Sequence, residues 1–301
     1  MKTPHWFLKK TPMALILWPF SIMYYGVSHL VFRIKGTHPY KSSRPVICVG
    51  NILAGGVGKT PIVREIATFF DSPVVMRGYK QDIKNGRTSD EALMLSRSGL
   101  QVHTGNRKSN LVLLNKQKND KTPIVMDDGF QNSSIYKDVS VIVFDESIGM
   151  GNKFLLPAGP LREPRSALAR ADAFIIIKSN NKKVNLELPV DKPMFFAENE
   201  TIVPYDKKQN LIAFAGIGYP KKFFDCLTNV VVKRAYPDHY QYTDKDIKEL
   251  LELADKHNAK LITTEKDWVR LPPYAQDKIK YAGLDTKIED KFFDWLKERV
   301  N

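Results

Sequence analysis

A glycine-rich segment restricts the fold of this chain more than any other feature. Residues 50–61 read GNILAGGVGKTP, between a β-branched run at 45–52 and a helical stretch at 61–70. Closely spaced glycines let the backbone turn so that its N–H groups point at phosphate oxygens, and the following helix adds its positive N-terminus. The order strand, loop and helix therefore predicts a P-loop that binds the phosphates of a nucleotide.

The motif proper covers residues 53–60 and departs from G-x-x-x-x-G-K-[ST] at its first position, which is Leu53. Lys59 is expected to reach the β- and γ-phosphates, and the Thr60 hydroxyl to bind Mg²⁺. We therefore predict ATP and Mg²⁺ as cofactors. The predicted nucleotide-binding residues are Leu53, Ala54, Gly55, Gly56, Val57, Gly58, Lys59 and Thr60.

Apolar strand-like runs alternate with helical segments along the rest of the chain. This alternation predicts a parallel sheet with helices on both faces. In the first part, strands are predicted at 74–76, 124–126, 139–144 and 174–177, and helices at 91–97 and 111–116. After an extended connection at 195–205, a second unit begins near residue 210. Its predicted strands are 211–217, 230–233, 261–264 and 279–282, and its predicted helices are 244–257 and 289–300.

The net charge of +13 indicates a polyanionic partner, which is nucleic acid, an anionic membrane or a phosphorylated substrate. Residues 1–64 contain nine Lys and Arg residues but no Asp or Glu. This basic excess surrounds an apolar run and is not interleaved with aromatic residues on one face, so lipid fits better than nucleic acid. Cys48 and Cys226 lie in apolar runs and are predicted to be buried free thiols.

The apolar run at residues 13–32 is about as long as a bilayer-crossing helix. It fits a cleaved signal peptide, a buried core helix or a retained membrane helix. Export is hard to reconcile with an ATP site. Lys and Arg flank both ends, which does not favour a simple crossing. We expect a helix inserted in, or lying on, the inner face of a membrane, and its orientation stays open.

Acidic and basic side chains follow several predicted strands. Asp127 and Asp128 close the strand at 124–126, where P-loop enzymes hold Mg²⁺, although an Asp-Gly turn is the alternative. Asp90 opens a helix, and capping alone would account for it. Arg162 is a candidate phosphate ligand in the proline-rich loop 157–164. His239 ends a strand in the second unit, where a lone histidine is more often structural.

Eight motifs in one order resemble the tetraacyldisaccharide 4′-kinase family of lipid A biosynthesis. They are GNILAGGVGKTP, RGY at 77–79, SDEALML at 89–95, MDDGFQ at 126–131, LLPAGPLREP at 155–164, AFAGIGYPKKFF at 213–224, YPDH at 236–239 and TTEKDWVRL at 263–271. The resemblance covers nearly the whole chain. It departs from the family pattern at Lys80, Ser89 and Asn132, where the family has Gly, Gly and His.

The resemblance implies two α/β/α domains joined by a β-ribbon, with the site in their cleft. The domains expected are a membrane-associating helix at 1–36, a P-loop kinase domain at 37–200 and a C-terminal domain at 201–301. It implies transfer of the γ-phosphate of ATP to the 4′-hydroxyl of a lipid A disaccharide 1-phosphate, which forms lipid IV A. The enzyme would act on the cytoplasmic face of the inner membrane of Gram-negative bacteria, without nucleic acid or an obligate protein partner.

The resemblance also implies individual roles. Asp90 matches the candidate general base and His239 its supporting histidine, while Lys59 and Thr60 serve phosphate and metal. The acidic positions around the metal are Glu91, Asp127, Asp128 and Glu163. The positions near substrate or phosphate are Arg77, Gln131 and Arg162.

Another function class remains, a P-loop ATPase that switches on a membrane. Partitioning-type ATPases carry a signature lysine just before the paired glycines, and this chain has Ala54 there. A requirement for a lipid hydroxyl acceptor would separate a kinase from such a switch.

Overall fold

The computed structural model describes residues 4–77, 88–117, 120–179, 184 and 186–300. The chain divides into two compact units. The P-loop unit comprises Pro4–Asn199 together with Thr286–Asn301, and the C-terminal unit comprises Glu200–Asp285.

The P-loop unit is built on a parallel sheet in the order β3-β2-β4-β1-β5-β6-β7. Its strands are β1 (Val46–Gly50), β2 (Val74–Met76), β3 (Val102–Thr104), β4 (Ile124–Asp127), β5 (Val139–Asp145), β6 (Ala173–Ile177) and β7 (Met194–Ile202). Its first helices are α1 (Pro12–Lys35), α2 (Lys59–Phe70), α3 (Asp90–Arg97) and α4 (Arg107–Leu114), with 3₁₀ turns at His5–Phe7 and Arg165–Arg170.

Alternate side chains of this sheet enter cores on opposite faces, as a strand requires. Ile47 and Val49 of β1 pack with Ile62 and Ile66 of α2 in one core. Cys48, between them, points to the other face and packs with Phe144 and Phe174. On this second face, Leu111 and Leu114 of α4 pack with Val46 and Val75. Helices therefore pack against both faces, and the predicted α/β fold is confirmed.

The C-terminal unit has a second parallel sheet, in the order β11-β10-β8-β9. Its elements are β8 (Leu211–Ala215), α5 (Pro220–Asp225), β9 (Val230–Ala235), α6 (Asp244–Lys256), β10 (Lys260–Thr264), α7 (Glu265–Trp268), α8 (Pro273–Gln276) and β11 (Lys280–Ile288). Thr243 starts α6 with a capping box, because its hydroxyl accepts from Asp246 N while the Asp246 carboxylate accepts from Thr243 N.

Strands β7 and β11 each run from one unit into the other. They are two chain connections between the units, which the family resemblance implies are joined by a β-ribbon. After β11 the chain enters α9 (Asp290–Val300), whose Phe292 and Leu296 are fully buried in the core of the P-loop unit. The sequence assigned residues 286–301 to the C-terminal domain, whereas this packing groups them with the P-loop unit.

Helix α1 has the length and composition of a membrane-crossing helix, and most of it is exposed. Ala14 and Ser21 are its buried residues. Apolar side chains on the rest of its surface are open, among them Leu15, Ile16, Met23 and Leu30. A helix buried in the core, one of the three interpretations, is therefore excluded.

The two cysteines differ in their surroundings. Cys48 is fully buried, as predicted, and burial raises the pKa of its thiol to about 11. Cys226 is exposed, so that part of the prediction was wrong. It caps the C-terminus of α5, where Phe224 takes the buried position.

Candidate active site

The P-loop follows β1 and ends in Gly58, the N-cap of α2, which has a left-handed backbone with φ of 78°. The positive φ favours glycine, and a Cβ atom at Gly58 would also lie 2.9 Å from Ile177 Cδ1, so the Ile177 side chain would have to move. Glycine brings no side chain to cap α2. The first N–H groups of the helix are thus directed at the loop, which is a favourable position for an anion.

The proline-rich loop at 157–164 supports the P-loop from the side. Ala54 N donates to Pro160 O at 2.7 Å, and Arg162 N donates to Ile52 O at 2.7 Å. Leu53 and Leu161 form an isolated antiparallel bridge between the same segments. Leu53, which replaces the first glycine of the motif, is almost fully buried. The leucine found here in place of glycine therefore packs in the core.

Asp128 joins the two charged side chains of these loops. Val49 pairs with Asp127 in the parallel register of β1 and β4, so the carboxyl end of β4 lies beside the start of the P-loop. Lys59 Nζ is 3.0 Å from Asp128 Oδ1. Arg162 Nη1 donates to both oxygens of the same carboxylate, at 3.0 and 2.9 Å. Lys59 and Arg162 thus converge on one anionic group.

The two neighbouring carboxyl groups differ in ionisation. Burial raises the pKa of Asp127 to about 6, although Lys59 acts in the opposite direction. Burial also acts upward on Asp128, but Lys59 and Arg162 outweigh it and lower the pKa of Asp128 to about 2. Asp127 Oδ1 is buried and has no hydrogen-bond partner among the described residues. Asp128 is therefore ionised at neutral pH. The Oδ1 atom of Asp127 remains available to accept a hydrogen bond or to bind a metal ion.

Arg107 belongs to this site, although no sequence motif singled it out. Its Nη2 atom donates to the backbone carbonyls of Asp127 and Asp128, at 2.6 and 3.0 Å. The guanidinium is largely buried, which lowers its pKa. Asn106 caps α4 just before it and accepts from Ser109 N at 3.1 Å. Asn106 marks the start of α4, but no feature of the sequence indicates the contacts between Arg107 and these carbonyls.

Gln131 and Glu163 form a second cluster beside the P-loop. Gln131 Nε2 donates to Asn51 O at 2.8 Å and to Glu163 Oε2 at 3.1 Å. Arg170 Nη2 donates to both carboxylate oxygens of Glu163 at 2.8 Å. The Arg170 guanidinium also lies 4.6 Å from the ring centroid of Phe130. Glu163, a predicted metal ligand, is thus engaged in an ion pair.

Asp90 and Glu91 occupy the first turn of α3, where carboxylates favour the positive end of the helix. Ser89, one of the departures from the family, is the N-cap and accepts from Ala92 N at 3.3 Å. Glu91 acts to raise the pKa of Asp127, so it belongs to the same electrostatic environment.

The remaining positions singled out in the sequence are Arg77, the three residues after it, and Asn132. Arg77 follows β2 and is exposed, whereas Gly78, Tyr79 and Lys80 lie outside the described residues. Asn132, where the family has His, accepts from Ser134 N and Oγ at 3.0 and 2.7 Å and so stabilises its own turn.

His239 lies in the C-terminal unit, in a turn after β9. Its N–H donates to Gly216 O at 3.0 Å, and its Nε2 atom is 3.3 Å from Lys266 Nζ. Asp90 belongs to the P-loop unit and His239 to the C-terminal unit. The predicted cooperation of Asp90 and His239 therefore stays a prediction.

Within the described ranges, no group of three or more His, Cys, Asp and Glu side chains is arranged to hold a metal ion. The predicted metal ligands Thr60, Glu91, Asp127, Asp128 and Glu163 therefore also stay predictions.

Comparison with known proteins gives one consistent result. The family model described as tetraacyldisaccharide-1-P 4′-kinase (LpxK) matches residues 13–301. The tetraacyldisaccharide 4′-kinase of Rickettsia typhi is 34% identical, over 99% of this chain and 97% of its own length. That of Rickettsia canadensis is 36% identical, over 89% and 87%. The crystal structure of LpxK from Aquifex aeolicus in complex with ATP superposes with a TM-score of 0.74 and 25% identity, covering 96% of this chain and 100% of that one.

Proposed function

The chain belongs to the tetraacyldisaccharide-1-P 4′-kinase family, and from that premise we propose that it transfers the γ-phosphate of ATP to the 4′-hydroxyl of tetraacyldisaccharide 1-phosphate. The product would be lipid IV A, an intermediate of lipid A biosynthesis. The observation that carries the proposal is the convergence of Lys59 and Arg162 on Asp128, at 2.9 to 3.0 Å, beside the P-loop.

ATP binding follows from the same arrangement. The N-terminus of α2 and the glycine backbone provide N–H donors for phosphate oxygens. Lys59 and Arg162 supply positive charge, and phosphate oxygens can take the place of the Asp128 carboxylate as their partner. Phosphoryl transfer needs positioning and charge neutralisation more than covalent help, and these groups supply both. The ATP complex of the relative from Aquifex aeolicus supports this nucleotide.

The residues beside the P-loop also fit a magnesium ion. Asp127 Oδ1 is a buried acceptor without a hydrogen-bond partner among the described residues, and carboxylate and hydroxyl oxygens are the ligands that Mg²⁺ prefers. Asp127 and Thr60 would hold the ion, with Asp128, Glu91 and Glu163 as the other candidate ligands. When bound, Mg²⁺ neutralises charge on the phosphates during transfer.

We assign the acceptance of the sugar proton to Asp90, and the orientation of that carboxylate to His239. A carboxylate with an ordinary pKa near 4 is a weak base for a sugar hydroxyl. A loose transition state asks for little basicity early in the reaction, so position matters more than pKa. Arg77 and Gln131 are the candidate contacts to substrate.

The contacts of α1 favour a helix that lies in the membrane surface. Ser21 Oγ donates to Leu155 O at 2.9 Å, Tyr24 Oη donates to Arg162 O at 3.2 Å, and Phe32 O accepts from Ser133 Oγ at 2.6 Å. With the buried Ala14, these positions form one stripe from Ala14 to Phe32, about 27 Å along the helix axis. A crossing helix would draw the attached loops into hydrocarbon about 30 Å thick.

We therefore propose a monotopic enzyme whose α1 lies with its exposed apolar face in the membrane. Its place is the cytoplasmic face, where ATP is available, and residues 1–36 form the membrane-associating segment. No nucleic acid and no obligate protein partner are required.

The test is an assay with [γ-³²P]ATP and purified tetraacyldisaccharide 1-phosphate in mixed micelles. We expect labelled lipid with the new phosphate at the 4′ position, and ATP consumption that depends on the lipid. Lys59→Ala should produce none, whereas the matched surface control Lys121→Ala should match the wild type. Steady ATP hydrolysis without lipid would instead support the switching ATPase and contradict the proposal.

A further inference from the structure

The segment TTEKDWVRL at residues 263–271 lies far along the chain from the P-loop, and the proposed reaction assigns it no role. It begins at the end of β10 and continues through the short helix α7. Thr264 caps α7 and accepts from Asp267 N at 3.1 Å. The hydrogen bonds of this segment stabilise the turn that carries His239.

A fully buried carboxylate organises the segment. Asp267 Oδ1 accepts hydrogen bonds from Gly216 N at 2.9 Å, Tyr242 Oη at 2.9 Å and Arg270 Nη1 at 3.0 Å. Asp267 Oδ2 accepts from Thr264 Oγ1 at 2.6 Å. Asp267 and Arg270 are a buried ion pair, with side chains 0% and 2% exposed. A buried charge with this many donors holds its neighbours in one arrangement.

The same network holds the turn that carries His239. Gly216 O accepts from His239 N at 3.0 Å and from Arg270 Nη1 at 3.1 Å. A Cβ atom at Gly216 would lie 3.0 Å from both Asp267 Oδ1 and Pro237 O, so a side chain there would push against both neighbours. The turn and α7 are therefore fixed to each other through Gly216.

The backbone of His239 is itself unusual. Its φ of 59° is in the left-handed region, which is uncommon for residues other than glycine. Such conformations persist when the surroundings determine them, and they cluster at functional sites. Here the bond from His239 N to Gly216 O holds the conformation.

Lys266, on the first turn of α7, reaches the histidine that this network positions. Its Nζ atom is 3.3 Å from His239 Nε2. An ammonium group has three donors and no acceptor, so the contact is a hydrogen bond only if Nε2 carries no proton. Asp238 Oδ1 lies 3.9 Å from the same nitrogen, which is beyond hydrogen-bond distance.

We propose that Lys266 is a positioning residue that fixes the tautomer of His239, with Nε2 as acceptor and the ring proton on Nδ1. A neutral imidazole in this form donates a hydrogen bond from Nδ1. It can therefore orient a carboxylate and leave that carboxylate able to accept a proton. The consequence for catalysis rests on the proposed function, in which His239 orients Asp90. The tautomer itself does not depend on that function.

The direct test is the ¹⁵N spectrum of ring-labelled histidine in the full chain at a pH where the imidazole is neutral, with His239→Gln to assign the signal. We expect the wild type to carry the proton on Nδ1. Lys266→Met and Lys266→Gln should lose this preference, and Lys266→Arg should retain it. Lys260→Met, on the exposed surface of the neighbouring strand, is the matched control and should leave the spectrum unchanged.

The kinetic test uses the same variants. Lys266→Met should lower kcat by about tenfold, since small misplacements of catalytic groups have effects of this size, with KM for ATP nearly unchanged. In the His239→Gln background the same substitution should change kcat by less than about twofold, because groups that act as a unit are not additive.

Either of two results would overturn the inference: a wild-type His239 with its proton on Nε2, or a Lys266→Met spectrum identical to that of the wild type. Loss of the proposed function has a different signature. In that case lipid phosphorylation would be absent from the wild type as well, while the spectra still report on Lys266.

Discussion

The P-loop site and the His239 turn place their charged groups in opposite surroundings. Beside the P-loop, Asp127, a proposed metal ligand, is only 6% exposed. In the C-terminal unit, the His239 side chain is 54% exposed, whereas the carboxylate that organises its turn, Asp267, is fully buried. In the P-loop unit the buried carboxylate, Asp127, is itself a proposed functional group. In the C-terminal unit the buried carboxylate, Asp267, instead stabilises the turn that carries the exposed His239.

The difference separates two kinds of mutational effect. Removing a charge beside the P-loop changes the electrostatics of phosphate binding while the core of the unit stays filled. Removing the buried charge of the C-terminal unit leaves a cation without its partner inside the protein. We therefore expect the first class to act on catalysis and the second on stability.

Lys59→Ala should have the largest effect on catalysis. We expect kcat/KM to fall by about a thousandfold or more, since one cation at a phosphoryl group contributes on that scale. Ile62 and Ile66 keep α2 in the core, so the fold should persist. Steady-state kinetics with circular dichroism tests this, and near wild-type turnover in a folded variant would refute the site assignment.

Asp267→Ala should have the largest effect on stability. Arg270 would lose its buried partner, and breaking one half of a buried pair costs about 3–5 kcal/mol. Urea unfolding, followed through the protection of the C-terminal unit from proteolysis, measures the loss. The control Asp246→Ala removes one half of a capping box and a hydrogen bond from Tyr240 Oη, but no buried ion pair, and should cost about 1 kcal/mol. Equal losses in the two variants would show that Asp267 contributes no more than a cap.

The exposed face of α1 should control membrane binding. Ile16, Met23 and Leu30 are 65%, 65% and 59% exposed. Their joint replacement by Gln should weaken binding to anionic vesicles by about a hundredfold, if each side chain contributes roughly 1 kcal/mol by partial burial. Activity on micellar substrate should be kept, because the docked face with Ser21 and Tyr24 is untouched. Unchanged sedimentation with vesicles would place the membrane contact elsewhere.

The sequence predicted the parts of the site that depend on strand ends. Lys59 and Asp128 are far apart in the chain, yet the carboxyl ends of parallel strands meet at one edge of a sheet. The predicted alternation of strands and helices was therefore enough to place Asp127 and Asp128 beside the P-loop. The register of β1 and β4 confirms that placement.

The contacts that were missed depend on side-chain packing. Arg107 donates to backbone carbonyls, which leaves no trace in a motif of charged residues. The sequence predicted Glu163 as a metal ligand but did not indicate its ion pair with Arg170, seven residues later. The link between Lys266 and His239 required the folded arrangement around Gly216. None of these follows from periodicity or spacing.

The most direct test of the whole account asks whether the two units serve one reaction. It is a double-mutant cycle on kcat with saturating substrates, using Asp90→Ala, His239→Ala and the double variant. We expect each single substitution to lower kcat strongly, within the roughly hundredfold to ten-thousandfold range of general base catalysis, with Asp90 the more severe. The double variant should lose far less than the product of the two losses, because a base and the residue that orients it act as a unit. Fully multiplicative losses would show that Asp90 and His239 act independently, and would contradict the account.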